Sequence, residues 1–179
     1  MNFKYFLLYL CFSISLYANS AYDLTILTLQ SKVFPKIILA DKDISEKLIN
    51  NTLEITILYE EIDVVIANRF KKLILQNYSK LKNFTVVVKV LEYKNFSKST
   101  ALSTAYFFLS GKEESIVQVS DFIINNNRLN FSYEKNDIDL GIIFGLEIGS
   151  TVSLLLNLNS LKKSKINLDN SILKVTKIR

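Results

Sequence analysis

Glu60, Glu61 and Asp63 are the side chains best spaced to move a proton: three carboxylates directly after Glu54–Tyr59, EITILY, a run that reads as a strand. Open α/β sheets bind ligands beyond the carboxyl ends of their strands, so acids there could serve as general acid and base. A simpler use is to cap and support the first turn of the helix that follows, whose amide end carries partial positive charge; that is the use expected here. The chain has no histidine, which removes the commonest general base and zinc ligand and excludes a serine–histidine hydrolase. Ser110–Ser115, SGKEES, ends like a phosphate-binding loop. Such a loop needs a glycine five residues before Gly111 and a hydroxyl after Lys112, where the chain has Tyr106 and Glu113. It reads as a strand-to-helix turn. Asp41, Asp43 and Glu46 lack the turning glycine of a calcium loop, and Asp43 with Glu46 reads as an acidic capping box. Lys162, Lys163 and Lys165 read as a solvated helix end. No catalytic residue, metal ligand or cofactor site is therefore expected.

The elements that would position these side chains begin after an export signal. Residues 1–20, MNFKYFLLYLCFSISLYANS, carry one early charge, Lys4, then an apolar stretch from Phe6 to Leu16, then Ala18 and Ser20 where a signal peptidase reads small residues. That stretch is too short to span about 30 Å of hydrocarbon. Residues 1–20 are expected to be a cleaved signal peptide and residues 21–179 a single domain in the periplasm. No later run is long and apolar enough to span, so no transmembrane segment is expected in the mature chain. Cys11, the one cysteine, falls in the removed part, which leaves no disulfide or thiol chemistry. The net charge of +5 is scattered, without the basic stripe and interleaved aromatics of a nucleic-acid binder.

Four runs rich in β-branched and aromatic residues read as strands: Glu54–Tyr59, Thr85–Leu91, Thr104–Leu109 and Leu129–Tyr133. Between the first two, Ile62, Val65, Ile66, Phe70, Leu73, Ile74 and Tyr78 recur at helical spacing; a second helix is expected over Glu113–Asn125. Strands alternating with helices imply parallel pairing. Gly141–Ile148 and Thr151–Leu158 are separated by Gly149 and Ser150 alone, which predicts an antiparallel hairpin with Gly149 at positive φ. Two short helices follow, near Asn159–Lys165 and Asn170–Ile178, the latter capped by Asp169. At the start, the apolar positions of Leu24–Ile38 cover an arc of roughly 220°, wider than a one-sided helix needs. Part of that arc, Leu24, Leu27, Val33 and Phe34, is expected to meet a partner or a second copy, and Pro35 to end or bend the helix. The expected fold is an α/β domain with a mostly parallel sheet of about six strands and a C-terminal antiparallel hairpin.

Gly141 with the IIF after it, then VSLLLNLNSLKKSKINLDNSILKV, resembles the closing signature of the YfiR-like family of periplasmic proteins. In that family a glycine opens a strand, a hairpin follows, and an asparagine ends the last strand before a short helix and a final helix that begins at a leucine pair. Gly141, Asn157, Ile172 and Leu173 stand at those positions. TAYFFLSGKEESIVQVSDF looks like the family's earlier strand and helix. The resemblance implies a single three-layer, Rossmann-like α/β domain with helices on both faces of the sheet, and a non-enzymatic regulator that tends to form a homodimer. Its partner would be the extracytoplasmic domain of a membrane-bound diguanylate cyclase, held back so that cyclic-di-GMP signalling and biofilm formation fall. Disulfides found in some members have no counterpart after residue 20. From the residues alone, Asn157 is expected to cap the helix that follows it. The alternative function is a small-ligand-binding component of a transport or sensory system, using a crevice lined by Tyr59, Glu60, Glu92 and Ser110.

Overall fold

The computed structural model describes residues 22–97 and 102–179; the export signal expected at residues 1–20 lies outside the described residues. The apolar runs of β1, β4 and β5 become strands because they are buried on both faces. In β1, Thr52–Tyr59, the side chains of Leu53, Ile55 and Ile57 enter one core and Leu58 the other. β3, Phe84–Glu92, β4, Ala105–Phe108, β5, Leu129–Ser132, and β6, Phe144–Ile148, continue the parallel set. Two helices cover the larger core: α1, Leu24–Ile38, and α2, Val64–Asn77. α3, Glu113–Asn125, covers the smaller one through Ile116, Val119 and Ile123. The result is the expected three-layer arrangement.

Among the described residues eight strands are present where about six were expected, in the order β2-β3-β1-β4-β5-β6-β7-β8. The additions are short pieces fixed by tertiary pairing: β2, Lys80–Leu81, antiparallel to β3, and β8, Thr176–Ile178, parallel to β7. The expected hairpin is present, β6 pairing antiparallel with β7, Val152–Leu156. Numbered by themselves, the parallel strands run 2-1-3-4-5. β1 lies between β3 and β4, and the chain leaves it to α2 on one face while it leaves β4 to α3 on the other. The crevice of such a sheet lies where those exits diverge, at the carboxyl ends of β1 and β4.

Several expectations need correction. Leu27 and Phe34 are 1% and 2% exposed and cannot meet a partner, because α1 is wedged between the sheet and α2 and buries most of its arc. Leu24 is exposed and Val33 half-buried. Pro35 does not end α1, which runs on to Ile38. Gly149 is not at positive φ. The left-handed glycine is Gly141, φ 98°, which ends a 3-10 turn at Lys135–Leu140 instead of opening a strand. Its missing Cβ is also needed, since one would lie 2.9 Å from the Ser120 hydroxyl. The final helix, α5, Asn170–Val175, is shorter than expected because Thr176–Ile178 joins the sheet. In the α2 stretch, Ile62 and Val65 were expected to be inward. They are 87% and 73% exposed, because the buried side of α2 runs through Ala67, Phe70 and Ile74 and Ile62 belongs to a preceding 3-10 turn.

Candidate functional site

The crevice is built from connections rather than from regular elements. Tyr59 and Glu60 leave β1, Leu109–Lys112 leaves β4, and Tyr133–Glu134 leaves β5. Gly111 lets the β4 exit lie flat against Tyr93: a Cβ there would come 2.6 Å from the ring. The Tyr93 hydroxyl donates to the Leu109 carbonyl at 2.8 Å, and burial holds its phenol well above the usual tyrosine range.

Tyr22 occupies the space so enclosed. Its ring is 8% exposed and lies 4.7 Å from that of Tyr133, tilted by 55°. The Tyr22 hydroxyl donates to Asp63 Oδ2 at 2.8 Å and accepts from the Ser110 backbone N–H at 2.9 Å. Burial pushes this phenol above its ordinary range, with the Asp63 carboxylate adding to the effect. The Asp23 N–H then donates to the Tyr133 hydroxyl at 2.7 Å, which ties the next residue to the same wall.

The four side chains expected in the crevice fare differently. Ser110 and Glu60 border it: the Ser110 hydroxyl donates to Glu134 at 3.3 Å and Glu60 accepts from the Lys112 N–H at 3.4 Å. Glu92 is tied up at the rim with Lys94, 2.7 Å away, and Asn95. Tyr59 packs against the larger core. The capping role expected for the acids is also revised. Asp63 makes no side-chain bond to the start of α2 because its carboxylate is turned to Tyr22, and Glu61 pairs with Lys94 at 2.8 Å. Spacing could not have revealed Tyr22, which meets Asp63 and Ser110 across 41 and 88 residues.

A second polar cluster lies toward the opposite ends of the strands. Buried Glu54 accepts from the Ser103 hydroxyl at 2.8 Å and pairs with Lys89 at 2.5 Å, while Ser103 also meets Thr56. Asp41 pairs with Lys47 at 2.5 Å and accepts from the Asp43 N–H. Asp43 itself makes no capping bond, so the expected box is absent. Arg128 donates to the Lys47 carbonyl, and burial lowers its guanidinium from the usual range. These charges are paired or bonded in place and fix the entries to β1 and β4.

At the far end of the chain, Asn157 is the N-cap of α4, Leu158–Ser164, as expected. Its Oδ1 accepts from the Ser160 N–H at 2.9 Å and its amide nitrogen donates to the Ile138 carbonyl at 2.7 Å. Ile172 is half-buried against the larger core and Leu173 is exposed. Asp169 caps α5 through the Ser171 N–H. Lys162 and Lys163 stand exposed in the last turn of α4, Lys163 pairing with Asp121. No group of three or more potential metal ligands occurs among the described residues. An enclosed void under α1, about 10 Å³, has room for at most a water molecule. A shallow groove along the outside of α2 is lined by Val64, Val65, Asn68, Arg69, Lys72 and Leu73.

No family model matches the sequence, and no curated protein matches it. Solved structures do match. One, described as the ABC domain in complex with L-Trp from Streptococcus pneumoniae, is 13% identical with a TM-score of 0.50, over 79% of this chain and 61% of that one. Another, a conserved domain protein from Vibrio cholerae O1 biovar El Tor, is 11% identical with a TM-score of 0.51, over 76% of this chain and 57% of that one. The chain thus spans less than two thirds of the length of either. At this identity the likeness concerns fold alone, and it agrees with a Rossmann-like α/β domain.

Proposed function

We propose that this chain is a periplasmic regulatory protein of the YfiR-like kind. It binds the extracytoplasmic sensor domain of a membrane signalling enzyme of the diguanylate cyclase type and lowers cyclic-di-GMP signalling. One juxtaposition carries this reading: the crevice that an enzyme of this topology would use is filled by Tyr22, while Ile62 and Val65 stand in solvent beside it. Clustered apolar side chains at such exposure are what a protein partner covers. Arg69 and Lys72, further along the same groove, favour an acidic surface on that partner. Exposed Leu24 remains available to a second copy of the chain in a homodimer. The regulator acts by binding the inactive state of its partner more tightly than the active one.

A photo-crosslinking residue at position 65, compared with one at exposed position 118 on α3, tests the contact in cells. An adduct with a membrane cyclase at 65 and not at 118 is expected. Equal adducts at both positions, or none at 65, would contradict it. No helix among the described residues is long and apolar enough to cross a membrane.

Small-ligand binding is the second reading. The sheet order, with its crevice between β1 and β4, favours it, and the Streptococcus pneumoniae structure of similar fold holds L-Trp.

A further inference from the structure

The geometry points to the β1/β4 crevice being a binding site for a small phenol, neutral or amine-bearing, with Tyr22 as its built-in occupant. This rests on the small-ligand reading only in using the same crevice, and it names the ligand class.

Every element of a phenol receptor is in contact with Tyr22. Asp63 supplies an acceptor at 2.8 Å, the Ser110 N–H a donor at 2.9 Å, and the Tyr133 ring a wall at 4.7 Å. These groups come from three separate connections of the sheet, so the receptor does not depend on the segment that fills it. Tyr22, by contrast, lies outside α1. It precedes the N-cap residue Asp23, whose carbonyl accepts the first helical bond from the Leu27 N–H. Withdrawing Tyr22 therefore breaks no hydrogen bond of the helix.

Charge narrows the class further. Glu60, Asp63 and Glu134 border the crevice, and Lys112 meets it through its backbone N–H. A carboxylate-bearing phenol meets repulsion there, whereas an amine-bearing one does not. The hydroxyl is required because without it Asp63 and the Ser110 N–H lose their shared partner. Tyr22 competes as a tethered ligand at an effective concentration on the order of millimolar, so free phenols bind weakly until it leaves. Asp63 lies between Ile62 and Val64, so exchange of Tyr22 for a free ligand changes a contact next to the exposed apolar groove.

The test uses the purified chain and its Tyr22→Ala variant, with p-cresol and tyramine as probes and toluene and 4-hydroxybenzoate as controls, read by calorimetry and thermal shift. Tyr22→Ala is expected to bind both probes, about tenfold or more tighter than the wild type does and than it binds either control. Tyr22→Ala with Asp63→Ala is expected to lose that gain. Should Tyr22→Ala fail to fold, Tyr22→Phe, which keeps the ring and drops the hydroxyl, is expected to bind the probes between the two extremes. Absence of probe binding in the folded variant, or equal binding with and without Asp63, overturns the inference. Either failure leaves the protein-partner reading to be decided by the crosslinking experiment.

Discussion

Asn157 uses both ends of its amide, and that makes its structural role measurable. Asn157→Ala removes the cap bond to Ser160 and the bond to the Ile138 carbonyl together, and is expected to lower stability by about 2 kcal/mol in urea unfolding. Asn157→Asp keeps an acceptor for the cap, loses the donor, and should fall between. Asp137 makes a pH-dependent prediction. Its carboxyl is buried, accepts from the Ser132 hydroxyl, and is raised above the ordinary aspartate range chiefly by desolvation. A raised folded-state pKa favours folding below the unfolded value, and that contribution disappears as pH rises through the folded one. Asp137→Asn, which cannot ionise, is therefore expected to gain stability relative to the wild type at neutral pH and to lose that advantage as pH falls into the carboxylate range. A constant difference between the two across pH 4 to about pH 7 would contradict it. The caps at Asn157 and Asp169 were legible in the sequence because capping acts over three residues. The Tyr22–Asp63 contact was not, because the chain brings those residues together only through the sheet.

The strands of the parallel core were legible because burial on both faces demands continuous apolar runs, as in EITILY and TAYFFL. What failed was phase and length. Apolar residues at three-and-four spacing in the α2 stretch fit two overlapping stripes. The choice between them depends on where the helix begins, which a 3-10 turn at Glu61–Asp63 moved. β8 was unreadable because three residues carry no period; pairing with Leu154–Leu156 makes them a strand. The exposed start of α2 gives the prediction proper to this scale. Ile62→Lys with Val65→Lys should leave stability within about 0.5 kcal/mol of the wild type, since neither side chain is buried. Val64 is less exposed and its backbone carbonyl accepts from the Asn68 side chain, so it is left unchanged. A large loss of stability in the double variant would show that this surface is covered within the chain itself.

Across the whole molecule, the order of strands decides where chemistry could occur, and order is set by long-range pairing that no local pattern records. Fold class, the closing hairpin, and Glu60 and Ser110 beside a crevice were legible; the placement of β4 beside β1, and the filling of that crevice by Tyr22, were not. Once that order is known, the filled crevice and the exposed apolar side chains support the proposed account, in which the chain acts through a surface offered to another protein. The most direct measurement is cyclic-di-GMP in cells from which the gene has been deleted, complemented with either the wild type or the Ile62→Lys, Val65→Lys variant. The account predicts a rise on deletion, restoration by the wild type, and none by the variant although it accumulates to the same level. An unchanged cyclic-di-GMP level on deletion, with the partner cyclase expressed, would contradict it.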